Sequence, residues 1–188
     1  VEALQAAGRD VQALRTGADG GEIPPPEALR TALRLGDGAL VVGEVRGEEA
    51  SVLYEAMRVG ATSEAVLGTV HGDGATTVYE RVVEDLGVAP AAFGATDLVV
   101  TLEAAPDGRR VSHIEEVTGG DRPGFEPLYA VGDGGLSSTG RIERGNSRVV
   151  AALARPGDAY GDVRTRLEER TARFAKRAGT ADGSRPWD

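Results

Sequence analysis

The chain has 188 residues, no cysteine and a formal net charge of −9 at pH 7. This length allows one large domain, or one domain with an appendage. The absence of cysteine excludes disulfide bonds and cysteine-based zinc sites. The acidic balance argues against a general nucleic-acid binder, which would carry a basic stripe to meet phosphates. No stretch approaches the roughly 18 consecutive apolar residues of a transmembrane helix.

The first half of the sequence alternates helical and strand patterns. The spacing of apolar residues predicts a helix within 1–16, and three consecutive prolines introduce a second helix at 27–35. The uninterrupted apolar run at 39–43 predicts a strand buried on both faces of a parallel sheet. The same rhythm continues with a helix at 48–59, a strand at 65–70, a helix at 75–86 and a strand at 98–102.

The pattern changes after the last of these strands. Asp107-Gly108 separates two strand-like segments, 98–103 and 110–117, and this predicts a hairpin. A further strand is predicted at 125–131. The sheet is therefore expected to be mixed, with an antiparallel edge.

The C-terminal part is predicted to be helical and is basic. Helical spacing begins at Ile142 and breaks at Pro156-Gly157, and residues 179–188 are expected to form a disordered tail. Residues 141–177 carry ten basic and five acidic side chains, whereas residues 1–140 carry ten basic and twenty-three acidic ones. The chain is thus electrically divided into two parts.

Two of the apolar runs end at a glycine and a side chain capable of catalysis. Gly43-Glu44-Val45-Arg46 follows the first strand, and Thr69-Val70-His71 follows the second. Ligands of parallel sheets bind outside the carboxyl ends of the strands. Glu44 and His71 are therefore expected at the same edge of the sheet, which predicts a functional site there.

These segments resemble the Walker B segment and the histidine box of the secretion-superfamily ATPases. Val42-Gly43-Glu44-Val45-Arg46 matches the family's apolar residues followed by Gly-Glu-(Ile/Val)-Arg, and Thr69-Val70-His71 matches its Thr-x-His. Leu33-Arg34 matches the usual end of the preceding helix. The family includes the motors of type II and type IV secretion and the archaeal pilus and flagellar assembly ATPases. The resemblance covers roughly 1–102 well and the remainder loosely.

The resemblance implies an α/β fold, part of a RecA-like P-loop NTPase core whose parallel sheet has an antiparallel edge. This core portion would span 1–140, with a helical C-terminal segment at 141–178 and the tail at 179–188. The implied function is the C-terminal part of a hexameric ATPase motor that powers secretion or assembly of a pilus-like filament. Its implied partners are further copies of itself and a membrane platform protein, without direct nucleic-acid contact. The implied location is cytoplasmic, peripherally associated with the inner face of the cell membrane.

The resemblance also assigns roles to single residues. Glu44 would orient and deprotonate the water that attacks the γ-phosphate, and His71 would sense or stabilise that phosphate. Arg46 is the third catalytic candidate, because a guanidinium suits phosphoryl oxygens and subunit contacts. A structural alternative exists for each: Glu44 pairs with Arg46 at a strand end, or His71 caps the glycine turn that follows it.

Three further residues are placed near the phosphates. They are Gly43, Thr69 and Arg34, although Arg34 is also compatible with a solvated helix face. Gly43 stands where other P-loop enzymes carry an aspartate, so no direct metal ligand is expected in this chain.

The sequence lacks the phosphate-binding loop Gly-x-x-x-x-Gly-Lys-(Ser/Thr), and its single lysine is Lys176. ATP and Mg²⁺ are therefore expected to be bound mainly by segments outside this chain, which would be the C-terminal part of a longer motor. The alternative is a non-catalytic ring-assembly or regulatory module without its own phosphate-binding loop. A weaker alternative places the basic segment 141–177 at a membrane surface.

Overall fold

The computed structural model describes residues 5–6, 8–16, 23–35, 38–58, 65–106, 108–120, 122–132 and 134–177. The chain divides into two compact units. The first unit comprises Val1–Val70 and Val82–Val88, and the second comprises His71–Arg81 and Ala89–Asp188. Each unit contains a sheet of its own.

The first unit contains a parallel sheet with a helix before each of its two strands, within the described part of the chain. Its elements are α1 (Pro25–Ala32), β1 (Ala39–Val42), α2 (Glu49–Arg58) and β2 (Ala65–Gly68). β1 and β2 pair in parallel, from Ala39 opposite Ala65 to Val42 opposite Gly68. Proline at the start of α1 presets the backbone angle that a helix start requires. The order of helix, strand, helix and strand is the predicted one.

Apolar side chains from the helices and the loops form the core of this unit. The buried ones are Ala28, Leu29, Val45, Ala50, Leu53, Tyr54, Ala56, Val82 and Val88. α1 and α2 pack against each other. Burial of a side chain as large as leucine stabilises a fold by about 1.5–3 kcal/mol, so the contact between α1 and α2 contributes to the stability of this unit.

The prediction that the first strand is buried on both faces is wrong. Val41 on β1 is 63% exposed and Leu67 on β2 is 60% exposed. Within the described part of the chain this sheet has two strands, and Leu40 and Val42 on the opposite face are only half-buried. The apolar run therefore predicted the strand correctly, but it did not predict how far each face of the strand is exposed to solvent.

The predicted helix within 1–16 is also wrong for the residues at 9–15, which are not helical. Gly8 has a φ of +72°, and its N–H donates to the Gln5 carbonyl at 2.9 Å. Such a left-handed glycine ends a helical turn. Residues 1–4 and 7 lie outside the described residues.

The second unit is built around a four-stranded antiparallel sheet. Its strands, in sheet order, are β3 (Leu98–Ala105), β4 (Gly108–Thr118), β5 (Gly124–Gly132) and β6 (Gly135–Ser138). Its helices are α3 (Ala75–Glu80), α4 (Pro90–Phe93), α5 (Arg148–Ala152) and α6 (Tyr160–Arg177). The helix predicted at 75–86 is thus α3 followed by a π-helical stretch, Arg81–Asp85.

The hairpin predicted around Asp107-Gly108 is confirmed, but the parallel pairing predicted for the third strand is wrong. β3 pairs antiparallel with β4, from Leu98 opposite Glu116 to Ala105 opposite Gly108. A strand that returns through so short a connection can only be antiparallel. The antiparallel strands therefore form a separate sheet and not the edge of the parallel one, among the residues described.

Three aromatic rings lie together in the core of the second unit. Tyr79 and Phe93 meet edge to face with centroids 5.2 Å apart, and Phe125 lies 5.8 Å from Tyr79 and 6.2 Å from Phe93. Edge-to-face pairs of this kind add about 0.5–1.5 kcal/mol to the burial of the rings. The cluster fixes α3 and α4 against β5.

Glu116 on β4 is a fully buried carboxylate. It accepts hydrogen bonds from Ser147 Oγ at 2.8 Å, from the Val149 N–H at 3.2 Å and from Arg141 Nε at 3.2 Å. Burial alone would raise the pKa of Glu116, but these hydrogen bonds favour the anion and hold the pKa below its ordinary value of 4.5. The carboxylate ties β4 to the start of α5.

The C-terminal part is helical only in pieces. Residues 141–145 form turns, and α5 and α6 are separated by the Pro156-Gly157 break that the sequence predicted. The predicted tail at 179–188 lies outside the described residues. None of the helices in the described ranges is both long and apolar enough to cross a lipid bilayer.

Candidate functional site

The loop at 43–48, which joins β1 to α2, carries two of the predicted catalytic side chains. Glu44 and Arg46 form an ion pair, with Arg46 Nη1 3.5 Å from Glu44 Oε2. The Glu44 side chain is 37% exposed and that of Arg46 is 73% exposed. An exposed pair contributes on the order of 0–1 kcal/mol. The pair with Arg46 is what the structural alternative predicted for Glu44.

The carboxyl ends of β1 and β2 lie side by side. The Thr69 hydroxyl donates to the Gly43 carbonyl, and the Val45 N–H donates to the Thr69 carbonyl at 2.9 Å. The Val45 side chain is buried in the core of the unit. Because Glu44 stands between Gly43 and Val45, its backbone is held on both sides while its side chain remains accessible.

Glu49, the first residue of α2, fixes the other end of the loop. Its Oε1 accepts hydrogen bonds from the Arg46 N–H at 2.8 Å and from the Gly47 N–H at 2.9 Å. The residue is 6% exposed. Burial would raise the pKa of Glu49, but the hydrogen bonds from these backbone groups and the Arg46 charge lower it overall, so the side chain is anionic at neutral pH.

Sequence analysis did not single out Glu49. A glutamate three residues after Arg46 has the spacing of a capping box, but position 46 lacks the Ser or Thr that defines the motif, and Glu49 is the first residue of the helix. In such a motif the carboxylate reaches back to backbone N–H groups that precede the helix.

A cleft of about 770 Å³ opens beside this loop. One wall is largely apolar and the other is formed by the loop and the start of α2. The lining residues are Leu14, Thr16, Pro24, Pro25, Pro26, Ala28, Leu29, Ala32, Leu40, Val41, Val42, Gly43, Glu44, Arg46, Gly47, Glu48 and Glu49. Concave sites with an apolar wall and a few polar groups are the usual form of a ligand pocket.

The charges in this cleft are mainly negative. Glu44, Glu48 and Glu49 outnumber the single guanidinium of Arg46, and such a wall repels an uncompensated polyphosphate. Across the described ranges, no three His, Asp or Glu side chains converge to hold a metal ion. The described residues therefore do not fit a Mg²⁺ site of their own.

His71 lies in the second unit, on the exposed loop that precedes α3. An ideal Cβ on Gly72 would lie 2.7 Å from Val78 Cγ2, so the loop passes too close to α3 for any larger residue. The Glu115 carboxylate accepts a hydrogen bond from the Ala75 N–H at 2.8 Å. The loop that carries His71 is thus fixed within its own unit.

The other candidates are placed as follows. Arg34 is exposed in the turn after α1 and is not among the residues that line the cleft. The second histidine, His113, lies half-buried on β4 with Nδ1 3.1 Å from Ser112 Oγ. The structure brings Gly43, Glu44, Arg46 and Thr69 together in one unit.

Comparison with known proteins supports the resemblance found in the sequence. A segment of 60 residues is 40% identical to an uncharacterized protein of Methanocaldococcus jannaschii, and it covers 32% of this chain and 21% of that relative. The model of the type II/IV secretion system protein family matches residues 4–105, more than half of the chain. This match includes both the Glu44 loop and the His71 loop. The chain belongs to the type II/IV secretion system protein family.

Proposed function

We propose that the chain is the C-terminal part of a hexameric ATPase motor that hydrolyses ATP to power type II/IV-type secretion or assembly of a pilus- or archaeal-flagellum-like filament. The family consists generally of ATPases. One observation carries the proposal for this chain. An accessible carboxylate, Glu44, stands at the carboxyl end of a parallel strand on a loop whose backbone is held by Thr69 and Glu49.

In this proposal Glu44 is the general base. Its carboxylate orients a water and takes its proton as the water oxygen bonds to the γ-phosphorus, and the bond to the ADP oxygen breaks to give ADP and phosphate. Arg46 leaves its weak pair with Glu44 to meet phosphoryl oxygens or a neighbouring subunit. The cost of breaking that pair is small because both side chains meet water.

The remaining candidates have supporting roles. Thr69 and Gly43 hold the ends of the two strands together through their hydrogen bond. His71 donates a hydrogen bond to charge that develops on the γ-phosphate, and Arg34 contributes to phosphate or subunit contacts.

ATP and Mg²⁺ would be held mainly by segments outside these 188 residues. The sequence has no P-loop motif, its single lysine is Lys176, and the cleft wall is negative. The 188-residue chain by itself is therefore expected neither to bind nor to hydrolyse ATP. Calorimetry with MgATP tests this expectation, and a micromolar affinity would contradict it.

The proposed assembly is a ring of six copies that works with a membrane platform protein. Family members generally form oligomers and act with such a platform. We place the chain in the cytoplasm, at the inner face of the cell membrane, where ATP and the platform meet.

A second candidate is a ring-assembly or regulatory module without catalysis of its own. The missing P-loop motif favours it, because such a module would keep contact surfaces without the phosphate cradle. The open reading frame that encodes Val1 distinguishes the two. A Gly-Lys-Thr segment upstream and in frame supports the motor, and a start codon directly before Val1 supports the module.

The test of catalysis is Glu44→Gln in the full-length protein. The amide keeps the shape of the carboxylate but accepts no proton, so turnover should fall by about 100-fold or more while ATP binding stays nearly unchanged. Glu27→Gln is the matched control, since Glu27 is an exposed glutamate of the same unit that does not line the cleft. Turnover of the Glu44 variant within a few-fold of the control would remove Glu44 from the role of base.

A further inference from the structure

Glu49 is a buried carboxylate to which the proposed reaction assigns no role. It lines the cleft at the start of α2 and is 6% exposed. A single oxygen, Oε1, accepts from two consecutive backbone N–H groups, those of Arg46 and Gly47. Burying a carboxylate is costly unless such bonds compensate for lost water, so this arrangement specifies one position for the side chain.

The fit between Glu49 and the loop is close. An ideal Cβ on Gly47 would lie 3.0 Å from Glu49 Oε2, so the carboxylate lies directly over the backbone of Gly47. With any other residue at position 47, the Glu49 carboxylate would have to shift by a few tenths of an ångström. The carboxylate is thus in close contact with the segment whose N–H groups it accepts from.

The two donors belong to the segment that carries the proposed chemistry. Thr69 holds the loop at Gly43 and Val45, and Glu49 holds it at Arg46 and Gly47. The backbone is thus fixed on both sides of Glu44. Loss of either set of bonds would release one end of a loop only six residues long.

We infer that Glu49 is a positioning residue, which fixes the backbone of the loop so that Glu44 and Arg46 project into the cleft in one orientation. This inference rests on the proposed function, since it names how the catalytic loop is held. Glu49 contacts neither water nor phosphate in the reaction. Its effect passes through the Arg46 and Gly47 amides.

Three variants of the full-length protein separate positioning from mere stability. Glu49→Ala removes both acceptor bonds, and a misplacement of the order of 1 Å lowers kcat by about 100-fold. KM for ATP should stay within about 2-fold, because Glu49 meets no substrate. Glu49→Gln keeps an acceptor oxygen of the same reach and should recover kcat to within about 10-fold of wild type. Glu55→Ala, an exposed glutamate on the same helix, is the control and should leave kcat unchanged.

A second measurement tests the hydrogen bonds without any ATPase activity. Amide hydrogen exchange in the folded Glu49→Ala protein should be at least about 10-fold faster at Arg46 and Gly47, whereas exchange at Val45, which Thr69 protects, should change less. Unchanged exchange at Arg46 and Gly47 overturns the inference. If the alanine variant does not fold, Glu49→Asp replaces it, because its shorter side chain cannot reach both amides.

The outcomes separate failure of the inference from failure of the function. If Glu44→Gln abolishes turnover while Glu49→Ala, or Asp in its place, keeps wild-type kcat, Glu49 does not position the loop. If Glu44→Gln keeps wild-type turnover, the proposed function fails, and hydrogen exchange alone decides whether Glu49 holds the loop. An equal loss of kcat in Glu49→Gln and Glu49→Ala also overturns the inference, since the acceptor oxygen then gives no rescue.

Discussion

Glu49 in the first unit and Glu116 in the second are both buried carboxylates that hydrogen bonds keep ionised, but they hold different parts of the protein. Glu49 binds two backbone N–H groups of a loop whose side chains, Glu44 and Arg46, meet solvent. Glu116 binds groups that belong to the packed core, including Ser147, which is 2% exposed. A buried anion can therefore serve either an accessible loop or the fold itself. The role depends on whether the hydrogen-bond donors belong to a solvent-accessible loop or to the packed core.

The largest difference in stability is expected for Glu116→Ala. This change removes the acceptor of the Ser147 hydroxyl, the Val149 N–H and Arg141 Nε, although Arg141 Nη1 keeps its pair with Glu126. The free energy of unfolding should fall by about 3 kcal/mol. Glu49→Ala should cost about 1 kcal/mol, because the loop it holds is reached by water. Urea unfolding at pH 7 measures both values. Equal losses of unfolding free energy in the two variants would contradict the proposed difference between the two carboxylates.

A smaller effect is expected for the two histidines of the second unit, His71 and His113. His71→Ala should reduce hydrolysis, or its coupling to assembly, by about 10-fold with little change in melting temperature, because His71 is exposed. His113→Ala removes a half-buried side chain from β4 and should do the reverse, lowering stability without slowing the folded enzyme. Full activity together with a collapsed melting temperature in His71→Ala would favour the capping role instead.

The smallest expected effect is on the pH dependence of stability. Because the pKa of Glu116 is lower in the folded protein than its ordinary value of 4.5, its contribution is fully present above about pH 5 and is lost as the pH falls through the folded pKa. Glu116→Gln removes this contribution. The difference in unfolding free energy between wild type and variant should therefore shrink as the pH is lowered from 6 towards 3. A difference that is constant with pH would show that Glu116 is not held as an anion.

The sequence predicted α1, β1, α2 and β2 of the first unit because their signals are local, whereas the helix predicted within 1–16 is wrong at 9–15. Prolines begin α1, an apolar run forms β1, and Gly43 ends that strand, so each boundary depends on neighbouring residues. The Glu44 loop followed from the same local pattern. The apolar pattern could not show that Val41 faces solvent, because exposure depends on what other segments cover.

The errors in the second unit have the same physical origin. Strand propensity at Leu98–Ala105 does not specify which strand it will pair with. β3 pairs with β4 because the short connection between them brings the two strands together in an antiparallel hairpin. Glu116 and Ser147 are 31 residues apart in sequence. No local sequence pattern predicts that two residues so far apart will form a hydrogen bond in the core.

The most direct test of the central claim, that Glu49 acts through Glu44, is a double-mutant cycle on single-turnover ATP hydrolysis by the full-length protein. Glu44→Gln, Glu49→Ala and the double variant are compared with wild type. Because Glu49 orients Arg46 as well as Glu44, part of its effect remains once the base is gone, and the loss of rate in the double variant should be clearly smaller than the product of the two single losses. Losses that multiply in the double variant, to a rate far below that of Glu44→Gln, would contradict the account.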